Sequence, residues 1–233
     1  MIIKGIVNPL LDLIEKAEMR TIEGIREGRL ETEPDITNRF IQAVEDLVNG
    51  EYENKGIKFK TRTLRDRGPK SPESKYGADL VGVLDVRLKG YQLSKGFLMQ
   101  AKMECDWAKL KTDEYESESA TFKPHQEFSR LQGQIDEMLK ITPDSFVFIY
   151  GQNNFSVIPG SSVNGLQRTG RLYGKIIKAF FKDFFTCFIG DPQLNAWNDS
   201  TLERLKERRN ARTAMMIQIF DIPNSESDAS QIT

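Results

Sequence analysis

The feature that most constrains the fold is a pair of apolar segments, ADLVGVLDVRL at residues 78–88 and GFLMQAKM at residues 96–103. Each has the length and apolar content of a buried strand, and the intervening LKGYQLSKG is typical of a turn. The two segments are therefore predicted to be adjacent strands of one sheet. We expect an α/β (α+β) chain, with a central mixed sheet flanked by helices.

Two amphipathic helices are predicted before these strands. Residues 8–28 carry apolar side chains at helical spacing, and Pro9 suits a first turn. A second helix is expected to start around Asp35 or Thr37, either of which can cap it, and to end at Asn49–Gly50. Its apolar stripe should face the sheet.

The remaining patterns complete the expected order of elements. Residues 107–124 are polar and are predicted to be a mobile loop, whereas the basic stretch 55–70 fits a charged edge strand or a phosphate-contacting surface. Strands are expected at 145–151, 156–159 and 215–222, and helices at 128–139, 176–189 and 202–212.

Size and composition favour one globular domain without a membrane span. The chain has 233 residues, of which 39% are hydrophobic, enough for one substantial core. The net charge of -1 carries no nucleic-acid signal for the chain as a whole. Cys105 and Cys187 lie far apart in a chain without a signal peptide, and charges interrupt the apolar stretch Ile176–Ile189. These features predict a cytoplasmic protein with no membrane partner.

Polar residues with chemical potential lie on the two central strands. Asp79 opens the first strand, and Gln100 and Lys102 lie near the end of the second. Because side chains alternate along a strand, Gln100 and Lys102 project to one face, while Met99, Ala101 and Met103 project to the other. A lysine buried in a central strand is costly without partners, which favours a functional role.

These residue types suit phosphodiester hydrolysis. Asp79 and the carbonyl oxygen of Gln100 are hard oxygen donors of the kind that Mg²⁺ prefers. Lys102 would orient or help to deprotonate the attacking water, or neutralise charge on the phosphodiester. The structural alternative is that Asp79 is a turn residue and Lys102 an edge-strand charge.

The spacing Asp79…Gln100-Ala-Lys102 resembles the PD-(D/E)xK nuclease superfamily, with the glutamine variant of Mrr-type restriction endonucleases. The resemblance implies a restriction-endonuclease-like αβββαβ core over about residues 31–151, and Mg²⁺ as cofactor with Mn²⁺ able to substitute. It also implies DNA as the partner, a homodimer or higher homo-oligomer, and a role in restriction or anti-phage defence. The expected organisation is an N-terminal helical extension (1–30), a nuclease domain (31–221, with a C-terminal elaboration from 152) and a disordered tail (222–233).

Charge requires a further acid, because Asp79, Gln100 and Lys102 together carry no net charge. Glu33 is the first choice for catalysis and metal binding, since it shares a helical stripe with Thr37 and its segment EPDIT resembles the opening of some relatives. Glu33 equally suits a helix N-terminal charge favoured by the helix dipole. Glu73 and Glu45 are the alternatives.

The remaining candidates have weaker arguments. Asp85 would lie about 20 Å from Asp79 along the strand, too far to share a metal ion. Glu104 could contribute only if its strand extends that far. Gln134 would support the site from the following helix, but a solvated helix face also explains it. His125 lies in a polar segment and builds neither a zinc site nor a triad. Two other functions stay open: a catalytically silent nucleic-acid-binding or assembly protein, and an effector nuclease activated by a partner or messenger.

Overall fold

The computed structural model describes residues 2–63, 78–105, 108–112, 118–123, 125–166, 169–195 and 211–221. Within these ranges the chain forms five α-helices, nine strands and one short 3₁₀ helix (Glu53–Lys55). The helices are α1 (Ile2–Arg26), α2 (Glu33–Tyr52), α3 (Gln126–Leu139), α4 (Gly160–Asn164) and α5 (Ile177–Phe185). The strands are β1 (Ile57–Thr63), β2 (Ala78–Leu88), β3 (Tyr91–Met103), β4 (Ala108–Thr112), β5 (Glu118–Phe122), β6 (Ser145–Tyr150), β7 (Phe155–Pro159), β8 (Gly170–Ile176) and β9 (Ala211–Phe220).

The described strands form one mixed sheet in the order β1-β9-β2-β3-β6-β7-β8-β5-β4. The predicted adjacency of the two central strands is confirmed, since β2 and β3 pair antiparallel. Their connection is shorter than expected: Leu88 pairs with Tyr91, and only Lys89 and Gly90 form the turn. Gly90 has φ of 79°, a left-handed conformation that suits a two-residue hairpin. The strand therefore begins at Tyr91 rather than at Gly96.

Helices cover both faces of this sheet, which confirms the predicted α+β class with a large mixed sheet flanked by helices. On one face, α1, α2 and α5 pack over side chains such as Leu80 and Leu84 of β2. On the other face, the alternate residues Val81 and Val83 meet Met138 of α3. Because β2 and β3 are apolar on both faces, burying them requires two helical layers.

Both N-terminal helices begin earlier than predicted. Thr32, rather than Asp35 or Thr37, caps α2, because its Oγ1 accepts a hydrogen bond from the Asp35 N–H, and the helix ends at Tyr52. Pro9 lies inside α1 rather than in its first turn, since the helix starts at Ile2 and buries Val7.

The segment 107–124, expected to be a loop, contains two strands. β4 and β5 pair antiparallel over Ala108–Thr112 and Glu118–Phe122. Ala108, Ala120 and Phe122 are fully buried, and the Phe122 ring contacts Phe128 of α3. Polar residues alternate with these apolar positions, so that one face of each strand is apolar and packs against α3. The high polar content of the segment hid this alternation.

The C-terminal third contributes to the centre of the sheet. β9 lies between β1 and β2, antiparallel to the former and parallel to the latter. Among the described strands β1 therefore lies at one edge of the sheet, as in the first of its two predicted alternatives. β9 begins at Ala211, four residues before the expected strand, and includes two residues expected in a charged helix. The rest of that helix lies outside the described residues, as does the predicted disordered tail. β8 was not predicted.

The described residues include no helix that is both long enough and apolar enough to cross a membrane. Cys105 and Cys187 are free thiols, the second of them exposed. Side chains of α1 join those of α2 and α5 in one hydrophobic cluster, so this helix is part of the core.

Candidate active site

Asp79 and Gln100 meet across the β2–β3 pair. Asp79 is one residue beyond the paired Leu80 and Met99, and this register brings Gln100 opposite it. The side-chain amide of Gln100 donates to Asp79 Oδ2, and the Ala101 N–H donates to the same oxygen at 2.9 Å. Gln100 is only 2% exposed. Its Oε1 atom is buried with no hydrogen-bond partner among the described residues.

Lys102 meets Glu33 from the start of α2. Lys102 Nζ lies 3.0 Å from Glu33 Oε2, and the side chains are 13% and 31% exposed. The Met103 N–H donates to Glu33 Oε1 at 3.2 Å, so both carboxylate oxygens contact β3. Glu33 is the first helical residue after the Thr32 cap, and the position of the helix start therefore determines where its carboxylate lies.

A buried hydrogen-bond chain ties the first turn of α2 to β6. Thr37 Oγ1 donates to the Glu33 carbonyl oxygen at 2.8 Å and lies 2.9 Å from the Tyr150 hydroxyl oxygen. Because the single Thr37 hydroxyl proton goes to Glu33, Tyr150 is the donor to Thr37. The chain holds the helix that carries Glu33 against the end of the sheet.

Electrostatics at this end of the sheet are dominated by two carboxylates. Burial raises the pKa of Tyr150 above its ordinary value of 10.0, and the negative charges of Asp79 and Glu33 raise it further, against the hydrogen bond with Thr37. Tyr150 is therefore a neutral donor near neutral pH. Counting Asp79 and Glu33 as negative and Lys102 as positive, the group carries a formal charge of -1, which favours an added cation.

The donor set fits Mg²⁺ in its chemistry. Asp79 and Glu33 supply carboxylate oxygens, and Gln100 Oε1 is a buried oxygen that lacks a partner. An orphaned buried acceptor is costly, and a cation is one way to satisfy it. The described part of the chain has no group of three His, Cys, Asp or Glu side chains suited to a metal ion. The third donor here is an amide.

The alternative acids have different outcomes. Glu45 lies twelve residues beyond Glu33 on α2, about 18 Å along the helix axis. Glu104 Oε1 accepts a hydrogen bond from the Leu110 N–H and so anchors β4. Asp85 is fully buried mid-strand and pairs with Arg87. Glu73 lies outside the described residues. Of the described acids, Glu33 is the one in contact with Lys102.

Gln134 and His125 contribute to α3. Gln134 is half-buried, and its Oε1 atom is buried without a hydrogen-bond partner in the described part of the chain. His125 caps the helix, since its Nδ1 accepts from the Glu127 N–H at 3.2 Å.

Sequence reasoning did not identify Tyr150, because the last residue of the apolar segment SFVFIY carries no signal beyond strand propensity.

A surface cleft of about 500 Å³ lies at the carboxyl ends of β3 and β6, and none of Glu33, Asp79, Gln100 and Lys102 lines it. Met103 connects the two features, because it lines the cleft while its N–H binds Glu33. The other lining residues are Ile25, Glu104, Cys105, Lys109, Tyr150 and Gln152.

Comparison of the chain with protein-family models, curated proteins and solved structures finds no match.

Proposed function

We propose that this protein is a Mg²⁺-dependent DNA endonuclease with a PD-(D/E)xK-like site in which Gln100 replaces the second strand carboxylate. The observation that carries the proposal is the ion pair between Glu33 and Lys102, at 3.0 Å. It lies beside the hydrogen-bonded pair Asp79 and Gln100. Residues up to 69 positions apart in the chain thereby supply two acids, an amide and a lysine at one end of the sheet.

Each side chain has a role in this proposal. Asp79, Gln100 Oε1 and Glu33 would hold the metal ion, and Mn²⁺ would substitute for Mg²⁺. When bound, the ion supplies positive charge at a phosphodiester oxygen. Lys102 Nζ, held by Glu33, donates to the attacking water or to the phosphate and stabilises the negative charge that develops there. Tyr150 and Thr37 position the start of α2.

The chain order of the elements gives further support. The series α2, β1, β2, β3, α3 and β6 follows the helix, three strands, helix and strand of a restriction-endonuclease-like core. Two features depart from that series: β4 and β5 are inserted before α3, and β9 lies between β1 and β2. Neither separates β2 from β3, the strands that carry the site.

The biological setting stays a prediction of the resemblance. It comprises a cytoplasmic enzyme of restriction or anti-phage defence that works as a homodimer or higher homo-oligomer. Double-strand cutting by one site type requires two copies of the site, which favours the homodimer.

A catalytically silent DNA-binding or assembly protein is the second candidate function. The specific observation in its favour is that Gln100 contributes no charge, which leaves two carboxylates partly neutralised by Lys102. Such a protein would keep the fold and bind DNA without cutting it.

The experiment that separates these functions incubates plasmid DNA with Mg²⁺ or Mn²⁺ and the wild-type chain, Asp79→Ala or Lys102→Ala. We expect nicking by the wild type and a loss of about 10²-fold or more in each variant. Arg130→Ala, which removes an exposed charge from α3, is the matched control and should retain the wild-type rate. Equal nicking by all proteins would reject the site, and DNA binding without any nicking would favour the silent protein.

A further inference from the structure

The outward surface of α1 carries a cationic groove that no step of the proposed reaction uses. Lys16, Arg20 and Arg26 line it together with Met19 and Glu23, and its volume is about 470 Å³. Lys16 and Arg20 are four residues apart, so they project from the same side of the helix. Lys16 and Arg26, the two ends of the groove, are ten positions apart, or about 15 Å along the helix axis.

The cations of this groove lack carboxylate partners among the described residues, unlike the nearby lysine of α5. Lys178 is neutralised by two acids of α1, Asp12 Oδ1 at 3.0 Å and Glu15 Oε2 at 2.7 Å. Another α1 acid, Glu18, accepts a hydrogen bond from the Phe155 N–H at 2.8 Å. Three acids of α1 thus bind partners outside the groove. The groove itself carries three positive charges against the single negative charge of Glu23.

The groove adjoins the cleft at the carboxyl ends of β3 and β6. Arg26 donates from Nε to the Gln152 carbonyl oxygen at 2.7 Å, and from Nη2 to Asn153 Oδ1 at 3.0 Å. Gln152 and Ile25 line the cleft beside Met103, whose N–H binds Glu33. Arg26 therefore lies where the groove and the cleft meet, and the acceptors of its guanidinium among the described residues are neutral.

We infer that this α1 groove binds the phosphodiester backbone of the DNA substrate beside the scissile bond, an inference that rests on the proposed function. Phosphates recur every 3.4 Å of rise along one strand, so 15 Å of helix faces about four nucleotides. Cations without a carboxylate partner gain affinity there by releasing the counterions of DNA. The contact is independent of base sequence, since it is made to phosphates.

The test measures binding of a fluorescent DNA duplex by anisotropy over a range of NaCl concentrations. The wild-type chain of 233 residues is kept in EDTA so that metal-dependent cleavage cannot occur. It is compared with the double variant Lys16→Ala/Arg20→Ala and with the control Lys123→Ala/Arg130→Ala. The control removes two exposed cations, one shortly before α3 and one within it. Circular dichroism and thermal unfolding verify that all three proteins fold equally.

We expect the α1 double variant to bind roughly 10- to 60-fold more weakly at about 0.1 M salt. The slope of log K against log [NaCl] should become less steep by about 1.8. The control should match the wild type. Unchanged affinity and slope in the α1 variant, an equal loss in the control, or no DNA binding by the wild type would each overturn the inference.

A parallel plasmid assay with Mg²⁺ separates this inference from the proposed function. Cleavage by the wild type, combined with unchanged binding by the α1 variant, rejects the groove and leaves the function standing. The expected binding loss without any cleavage by the wild type rejects the function and leaves the groove as a DNA-binding surface.

Discussion

β2 carries two aspartates on one face, and their surroundings differ in a way that separates function from structure. Both accept a hydrogen bond from a glutamine amide of a neighbouring strand, Gln100 of β3 at Asp79 and Gln218 of β9 at Asp85. Six residues separate them, about 20 Å along the strand. The two sites thus share one local arrangement and differ in the charges around it.

Charge balance is the difference. Asp85 is fully buried, and its Oδ2 lies 2.9 Å from the guanidinium of Arg87, so that pair is neutral by itself. Asp79 shares its end of the sheet with Glu33 and Lys102, a group with a formal charge of -1 that adjoins a cleft. A neutral pair in mid-strand stabilises the fold, whereas two carboxylates that share one lysine at a strand end favour a cation.

The largest expected difference is in DNA cleavage. Asp79→Asn keeps the size of the side chain but removes the charge, and we expect it to lower the rate of plasmid nicking in Mg²⁺ by about 10²- to 10³-fold. Asp85→Asn should leave that rate unchanged, because Asp85 lies far from the site. Initial rates of supercoil loss measure both. A comparable loss in the two variants would break the distinction between the two aspartates.

The next largest effect is on stability, and here we expect the larger loss at Asp85 rather than at Asp79. Asp85→Ala removes the buried carboxylate that Arg87 and Gln218 contact, and we expect a loss of about 2–3 kcal/mol in the free energy of unfolding. This estimate is below the usual range for a broken buried pair because the Arg87 side chain is 42% exposed. Urea unfolding followed by circular dichroism measures it.

The matched variant for this stability test is Asp79→Asn, which should cost less than about 1 kcal/mol. Its side-chain oxygen still accepts from the Ala101 N–H, and repulsion from Glu33 is relieved. A larger loss for Asp79→Asn than for Asp85→Ala would show that the strand-end group is the structural one.

A smaller effect is expected from Mg²⁺ on the unfolding free energy. An ion that binds only the folded state at ten times its dissociation constant stabilises by about 1.4 kcal/mol. The wild type and Asp85→Asn should show this gain in a thermal unfolding series, whereas Asp79→Asn and Gln100→Leu should lose it. An equal gain in all four proteins would place the ion elsewhere and leave Gln100 Oε1 without that role.

The sequence predicted the parts of the site that obey strand periodicity. Gln100 and Lys102 share a face because alternate residues must, and Asp79 reaches Gln100 because β2 and β3 form a hairpin. Glu33 followed from charge accounting and helical spacing. Strand alternation and helical spacing are local rules. The pairing of two strands that follow each other in the chain is one further assumption.

The remaining features depend on contacts between distant segments. Nothing near residue 211 indicates that β9 inserts between β1 and β2, because a buried apolar strand fits several positions in a sheet. The Tyr150–Thr37 bond joins residues 113 positions apart. The strands β4 and β5 were missed because their burial comes from packing against α3, which a polar local sequence does not reveal.

The smallest expected effect is the shift that Asp79→Asn causes in the alkaline unfolding profile, because the proton of Tyr150 responds to the charge at the site. Burial and the nearby Asp79 and Glu33 raise the pKa of Tyr150 above 10.0, so the folded state retains a proton that the unfolded chain releases at alkaline pH. The stability from this neutral hydroxyl is complete below about pH 10. It declines above that pH by about 1.4 kcal/mol per pH unit until the folded-state pKa is reached. Tyr150→Phe removes this part of the decline.

The two aspartates should act differently on this alkaline decline. Asp79→Asn removes one of the charges that raise the pKa of Tyr150, so the folded protein releases the proton at lower pH and the decline ends earlier. Asp85→Asn should leave the profile unchanged. Urea unfolding across alkaline pH, with Tyr173→Phe as an exposed tyrosine control at 62% exposure, measures these differences. If the Asp79→Asn and Asp85→Asn profiles coincide, Asp79 does not act on Tyr150, and the charge excess at the strand end is refuted.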